Sequence, residues 1–260
     1  ATPTHLHAML AAPRFHPERV ASVRTLMYAG AAIPLALLDR VDKAFAARIV
    51  NIYGTTEVMN AAFMPDPARR PGLIRPGFYS SLRVARIGGT VDDIVPPGAE
   101  GELLVDASAD ATFAGYLNRP EATAEKVQGG WYRTGDVAVA KPDGDFELKG
   151  RVDDMIITGA ENVHPDEVET VLRGHPSVRD VAVIGLPDER WGERIVACIV
   201  ATPRPPSEEL DRHCQESRLA NFKRPRDYVF VEAIPRNAAN KVLRRALREA
   251  AAARLEGDKK

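Results

Sequence analysis

The sequence predicts an α/β portion of a large mixed-sheet domain followed by a small α+β domain. Three observations carry that reading. Residues 23–53 alternate strand, helix and strand. Residues 77–150 break into short apolar runs separated by Gly, Pro-Asp-Gly and Asp-Gly turns. From Arg151 onward helices and strands alternate again. In the first stretch, "VRTLMYAG" (23–30) and "RIVNIY" (48–53) are apolar runs ending at Gly or a turn. Between them "PLALLDRVDKAF" (34–45) spaces its apolar residues as a helix does, with Pro34 in the first turn. Such a strand–helix–strand unit implies parallel pairing.

"SLRVARIGG", "EGELLVDA" and "WYRTGDVAVAKPDGDFELKG" suit antiparallel hairpins, and Pro120 opens a short helix, "PEATAEKV". Pro165 opens a helix to Leu172, with Asp166, Glu167 and Glu169 near its positive end. "VRDVAVIGL" and "RIVACIVA" read as strands, and "SEELDRHCQESRL" as a helix capped by Ser207. "DYVFVEAI" is a further strand. "NKVLRRALREAAAARLEG" is a terminal helix with a solvated charged face. The "TPRPP" loop (202–206) turns inside the small domain. The expected division is a first domain over 1–151, ending in hairpins, and a second over 152–260.

Thirty-five Lys and Arg against 36 Asp and Glu leave a formal charge of −1. That balance gives no basis for nucleic acid or an anionic membrane as partner. Cys198 and Cys214 have no clustered histidines, so neither a zinc site nor a disulfide framework is expected, and a reducing, cytoplasmic setting fits. No apolar run reaches the ~18–20 residues of a membrane helix. "ATPTHLHAML" lacks the basic start and apolar block of a signal peptide. It also lacks an initiator Met, so the chain is expected to begin inside something larger.

Four stretches carry chemistry. "NIYGTTE" (51–57) runs a strand into a turn where hydroxyls and amides can receive phosphate oxygens and a carboxylate can hold magnesium. Capping of the turn is the plainer role. "GGWYRTGDVAV" sets Asp136 at a sharp turn, where a carboxylate can accept two hydrogen bonds from a ribose diol. "ELKGRVDD" brings Arg151, for which a structural salt bridge with Asp136 is the plainer role. "GRVDDMIITGAENVHP" (150–165) is either a surface hairpin or a joint. "IPRNAANKVLRR" places Lys241 between loop and helix, where an ammonium matters only opposite a phosphate or carboxylate.

Together, "YGTTE", "GWYRTGD", "GRVDDMIITGAENVHPDEVE" and "NKVLRR" resemble the adenylate-forming superfamily of acyl- and aryl-CoA synthetases, peptide-synthetase adenylation domains and luciferases. The order and spacing are similar, and the likeness spans essentially the whole chain. Within the family the chain looks most like aryl-CoA ligases that act on halobenzoates. The resemblance implies the later part of the large domain and the complete small C-terminal domain, mobile about a hinge near Asp153.

It also implies roles. A carboxylate attacks ATP to give an acyl-adenylate, and the thiol of coenzyme A then displaces AMP. Thr56 would bond phosphate and Glu57 would hold Mg2+. Tyr53 would stack on adenine with Gly30 close by, and Asp136 and Arg151 would grip the ribose. Lys241 would bridge carboxylate and phosphate oxygens during adenylation. Ala29, Ile52, Gly54, Met59 and Asn60 would line the aryl pocket, Ala29 and Gly54 giving clearance for a flat ring. The 158–161 turn, with Gly159, Ala160 and Glu161, would pass the thiol arm. Trp191, Phe222, Arg224 and Arg226 would hold the CoA nucleotide. The implied partners are an aromatic acid, ATP and CoA, and a homodimer is compatible.

Two departures stand out. The family's Ser/Thr/Gly-rich phosphate loop ending in Lys-Gly belongs upstream of the matching region, and 1–260 contains no Gly-rich substitute. Inactivity of the chain by itself is the resulting expectation. Position 160, usually glycine in the family, is Ala160 here. Two other readings stay open: a non-catalytic interaction protein that keeps the fold, and an adenylation domain serving a carrier protein. Trp191 with Arg224 and Arg226 argues for free CoA over the latter.

Overall fold

A computed structural model describes residues 1–31, 33–237 and 241–257. It divides into two compact units, Ala1–Lys149 and Gly150–Lys260.

The first unit opens with helix α1 (Pro3–Ala11). The Thr2 side chain caps it, accepting from the His5 amide at 3.3 Å, and Pro3 supplies the first turn. Strand β1 (Thr25–Ala29), helix α2 (Leu35–Ala44) and strand β2 (Arg48–Tyr53) form the expected unit. The strands are parallel, in register from Thr25↔Arg48 to Ala29↔Ile52. Helix α2 turns Leu37, Leu38 and Val41 into a core with Leu6, Tyr28, Phe45 and Ile49. Pro34 stands one position before the helix, with φ −59° and ψ 135°. Its extended ψ keeps it out of the first turn, where the sequence had placed it.

Two strands had no sequence signal. β3 (Ala62–Pro65) and β4 (Leu73–Pro76) are antiparallel neighbours that continue the sheet from β2. Each is short and ends in proline, which blurs the strand pattern. β5 (Leu82–Ala85), β6 (Glu100–Asp106), helix α3 (Pro120–Lys126), β7 (Val127–Gln128), β8 (Trp131–Ala140) and β9 (Phe146–Arg151) follow. The nine-stranded sheet runs β1-β2-β3-β4-β9-β8-β6-β5, with β7 on β8. The fully buried Asp145, in the turn between β8 and β9, is fastened to β4 by Arg75 at 2.6 Å and is also met by Arg70 at 2.6 Å.

The second unit contains β10 (Ile156–Thr158), β11 (Glu161–Val163), helix α4 (Pro165–Arg173), β12 (Val178–Asp188), β13 (Gly192–Ala201), helix α5 (Ser207–Glu216), β14 (Asp227–Phe230) and helix α6 (Arg244–Gly257). The sheet order is β11-β10-β13-β12, with β14 parallel to β13. Alternate residues of β12 and β13 serve two cores. Val181, Val183, Ile195, Ala197 and Ile199 pack with Val168 and Leu172 of α4 and Leu210 of α5. Ala182, Ile184, Val196 and Cys198 pack with Leu247 and Ala251 of α6. Both faces are covered, which is why these strands read as nearly unbroken apolar runs.

Three expectations need correcting. Ser207 is the first helical residue of α5 and caps nothing. Pro206, extended at φ −60° and ψ 147°, precedes it, and Glu208 and Glu209 complement the positive helix end instead. The last helix starts at Arg244. Before it, Val242 bridges Arg236 and the Leu243 amide bonds the Pro235 carbonyl at 2.8 Å, so this segment is the return leg of a hairpin. Asn240, where the sequence started that helix, lies outside the described residues. Nor is the charged face of α6 wholly solvated, because Arg244 is almost buried. Cys198 and Cys214 are buried and unpaired, and burial pushes the Cys198 thiol up to about 12. No helix among the described residues is long and apolar enough to cross a membrane.

Candidate functional site

In the first unit, the site forms where β2 ends. After Tyr53 the chain turns through Gly54, Thr55, Thr56 and Glu57. The Thr55 hydroxyl accepts from the amides of Glu57 and Val58, both at 3.2 Å, and the Thr55 amide bonds the Val58 carbonyl at 3.0 Å. The two neighbouring threonines therefore separate in role. Thr55 caps the turn, while Thr56 is exposed. A Cβ at Gly54 would come within 2.7 Å of the Val58 carbonyl and 2.8 Å of the Asn60 amide. Closure of this turn requires the glycine, whatever it also gives a ligand.

Glu57 is held from below. The Tyr116 hydroxyl donates to its Oε1 at 2.7 Å, and the Phe113 amide bonds its carbonyl at 2.7 Å. Partial burial works to raise the carboxyl pKa. Hydrogen bonds from Tyr116, Thr55, its own amide and Tyr132 outweigh that and hold it below the usual carboxylate range. Burial and the Glu57 carboxylate push the Tyr116 hydroxyl up to about 12. Phe113 meets Tyr116 and Tyr132 edge-on, with ring centroids 4.9 and 5.8 Å away. Tyr116→Phe is expected to raise the Glu57 pKa, because the lost bond favours the charged form. A carboxyl titration followed by NMR checks this; an unchanged value would remove Tyr116 from the role.

Asp136 owes its position to a bulge. Between the pairs Leu104↔Arg133 and Glu102↔Val137, β6 has one residue and β8 has Thr134, Gly135 and Asp136. Gly135 takes φ +72°. The Thr134 hydroxyl donates to the Leu103 carbonyl at 2.7 Å and accepts from the Asp136 amide at 3.0 Å. Buried Glu102 accepts from the Gly135 amide at 3.1 Å and pairs with Arg133. So braced, Asp136 accepts from the Tyr53 hydroxyl at 2.5 Å. Ala29 and Ile52 are parallel partners at the ends of β1 and β2, and Gly30 follows at φ +89°. Met59 is exposed, and Asn60 takes φ +56°. Arg151, the last residue of β9, and Asp153, in the single helical turn Val152–Asp154, belong to the second unit.

In the second unit, Thr158 pairs with Glu161 across a two-residue turn in which Gly159 and Ala160 have φ +60° and +65°. That is the geometry of the tight hairpin turn that prefers Asn-Gly. The Gly159 amide bonds the Trp191 carbonyl at 2.8 Å, and a Cβ at Gly159 would sit 3.1 Å from the indole. The Arg226 guanidinium lies 4.1 Å from the centroid of the same ring. Gly159, Trp191 and Arg226 are thus one cluster. Arg224 is not part of it as placed, since Asp211 holds it at 2.8 and 3.0 Å. Phe222 is 39% exposed, and Glu161 is exposed. Ala160→Gly is expected to stabilise the fold by about 0.5–1 kcal/mol: relief of ~1–2 kcal/mol of left-handed strain, less ~0.4–1 for chain entropy. A denaturant midpoint that falls would contradict it.

Lys241 is exposed and opens the return leg 241–243, opposite Asn237. Its amide bonds Asn237 Oδ1 and its carbonyl accepts from the Asn237 amide, both at 2.9 Å. Sequence reasoning missed Tyr116, which bonds Glu57, Glu102, which braces the bulge before Asp136, and Arg244, which stands three positions after Lys241 and is bound to Glu169. Only the Gly-Tyr of "AGYLNRP" offered a signal, and it reads as an ordinary turn.

The chain matches the AMP-binding enzyme family over residues 1–117 and the AMP-binding enzyme C-terminal domain over residues 167–241. It is 52% identical to a 4-chlorobenzoate–CoA ligase of Arthrobacter over 96% of this chain and 48% of that protein. It is 42% identical to the enzyme of that name from Pseudomonas (strain CBS-3), over 95% and 47%. The solved o-succinylbenzoate CoA synthetase of Bacillus subtilis, bound to its acyl-adenylate, aligns with a TM-score of 0.83 at 30% identity, covering 95% of this chain and 50% of that one. The chain spans about half the length of the curated relatives it matches. With both family regions in their proper order and half of its residues shared with a ligase of this kind, the chain belongs to the adenylate-forming, AMP-binding enzyme superfamily.

Proposed function

We propose that this chain supplies the later part of the large domain and the whole small domain of an AMP-forming aryl-acid–CoA ligase, with 4-chlorobenzoate or a related benzoate as the acid. The observation that carries the reading is the Tyr53–Asp136 pair. It sets an aromatic ring beside a braced carboxylate, the two groups that a flat base and a ribose diol require. Names and identities of the relatives support the acid.

In the first half-reaction a carboxylate oxygen attacks the α-phosphorus of ATP. An O–P bond forms, the bond to the β-phosphate bridging oxygen breaks, and pyrophosphate leaves. In the second, the CoA sulfur attacks the acyl carbon, its proton is lost, and AMP leaves with the former carboxylate oxygen. Thr56, uninvolved in capping, would bond phosphate. Asp136 would accept from the ribose, joined by Arg151, and Gly30 would leave room near the base. Lys241 would neutralise charge at the attacked phosphate. Mg2+ fits Glu57: the carboxylate stays ionised and partly open, and one carboxylate with phosphate and water oxygens is how this ion is usually held. When bound it would offset phosphate charge.

Ala29 and Ile52, side by side at the strand ends, would form one wall for the aromatic ring, with Met59 and Asn60 beyond. Ala29→Ile should cost about 1–3 kcal/mol of transition-state binding for para-substituted benzoates and leave smaller acids less affected. An unchanged kcat/KM series across benzoates would exclude Ala29 from the wall. The Trp191–Arg226 pair and the Gly159–Ala160 turn would receive CoA, and the small domain would turn about Asp153 between the half-reactions. A hybrid in which this chain replaces the matching half of the Arthrobacter ligase tests the reading. Pyrophosphate exchange into ATP that depends on 4-chlorobenzoate supports it. A folded hybrid with no exchange for any benzoate refutes it.

A further inference from the structure

Lys241 is exposed, yet a residue that must meet a single phosphate oxygen cannot wander. The hairpin that bears it is anchored on both legs. On the outgoing leg, Arg236 pairs with Asp180 at 3.0 Å to each carboxylate oxygen. The return leg runs from Lys241 through Val242 and Leu243 directly into Arg244, the first residue of α6. Only 10% of the Arg244 side chain is exposed. Its Nη2 meets Glu169 Oε1 at 2.8 Å and Asp166 Oδ1 at 3.6 Å, its Nη1 lies 3.4 Å from Asp154 Oδ2, and its Nε donates to the Val183 carbonyl at 3.4 Å.

Glu169 is itself fixed. It is 2% exposed and also accepts from the Val183 amide at 2.9 Å and from Arg173 at 2.6 Å. A planar guanidinium with several donors can serve carboxylates on α4 and beside Asp153 together with a strand carbonyl. An ammonium cannot cover that spread. Asp154 belongs to the turn Val152–Asp154, next to the proposed pivot. The same fork therefore ties the Lys241 hairpin to the segment about which the small domain would turn.

We propose that Arg244 is a positioning residue for adenylation: anchored on Glu169 and Asp154, it fixes the return leg of the Lys241 hairpin relative to the pivot. This rests on the ligase reading above and on the role given there to Lys241. It requires no contact between Arg244 and substrate.

The test compares Arg244→Lys, Arg244→Ala and Asp154→Asn in the hybrid ligase, with Lys241→Ala as reference. Arg244→Lys should slow single-turnover adenylation by about tenfold or more, as misplacement of a reacting group does. KM for ATP and for the acid should change little, and acyl transfer from supplied aryl-adenylate to CoA should be nearly unchanged. Asp154→Asn should move the same way by less. In the 260-residue chain itself, Arg244→Lys should speed hydrogen exchange at the Lys241 and Leu243 amides and leave β12 and β13 protected. Equal losses in both half-reactions, or full adenylation with protected hairpin amides, would overturn the proposal. Should Arg244→Ala fail to fold, the lysine and Asp154 variants decide. If Lys241→Ala itself slows neither half-reaction, the role given to Lys241 fails, and the amide exchange still judges the clamp by itself.

Discussion

Lys241→Ala in the hybrid ligase is expected to slow aryl-adenylate formation by about 10²–10³-fold, the usual loss when a preorganised charge at a developing oxyanion is removed. Thioester formation from supplied adenylate should fall far less. The asymmetry follows from placement. In the first step charge gathers on the oxygens of the attacked α-phosphorus, and the lysine, its backbone stapled to Asn237, has an exposed side chain free to meet it. In the second step the departing AMP oxygen gains charge as its bond to the acyl carbon breaks, but in the proposed scheme the small domain has by then turned about Asp153 and carried Lys241 away. Single-turnover rates for each step check this, and equal losses would remove Lys241 from the role.

The second large effect is on stability. Glu169→Ala is expected to cost about 3–5 kcal/mol, the range for breaking a buried ion pair by removing one partner. Three donors depend on this carboxylate: Arg244, Arg173 and the Val183 amide. Arg244 suffers most, since its other contacts are at 3.4 Å or longer. Solvent-exposed pairs such as Lys43–Asp39 offer a contrast; removing one should cost no more than about 1 kcal/mol. Urea unfolding of the two variants side by side checks both values. A Glu169→Ala midpoint close to that of Asp39→Ala would mean that the network contributes little.

Parts of the fold were legible because period and punctuation agreed. β1, α2 and β2 combine apolar runs, a helical spacing and Gly or turn stops, and all three form with parallel strands. The continuous apolar text of β12 and β13 reflects helices on both faces. β3 and β4 were not legible, because four residues ending in proline carry no period. The start of α6 was misplaced because Lys241–Leu243 has helix-forming residues that tertiary pairing holds extended.

The site divides in the same way. Motif text pointed to Glu57, Asp136 and Lys241 as candidates. It could not supply the partners that the fold brings in, because those lie far away in sequence: Tyr116 is 59 positions from Glu57, and Glu169 is 75 from Arg244. Arg244 stands in a charged run, and a charged run on a helix ordinarily means solvent. Gly54 is instructive in another way. Ring clearance suggested it, yet the closeness of the Val58 carbonyl and Asn60 amide already requires it.

The central claim is that activation proceeds through an acyl-adenylate, and oxygen transfer tests it most directly. The hybrid ligase is given 4-chlorobenzoate labelled with ¹⁸O in the carboxylate, ATP, Mg2+ and CoA, and the nucleotide products are analysed by mass spectrometry. Attack on the α-phosphorus followed by loss of AMP leaves one carboxylate oxygen on phosphorus, so the account predicts AMP carrying a single ¹⁸O and unlabelled pyrophosphate. Label in inorganic phosphate with ADP as the nucleotide product, or thioester formed alongside unlabelled AMP, would contradict it.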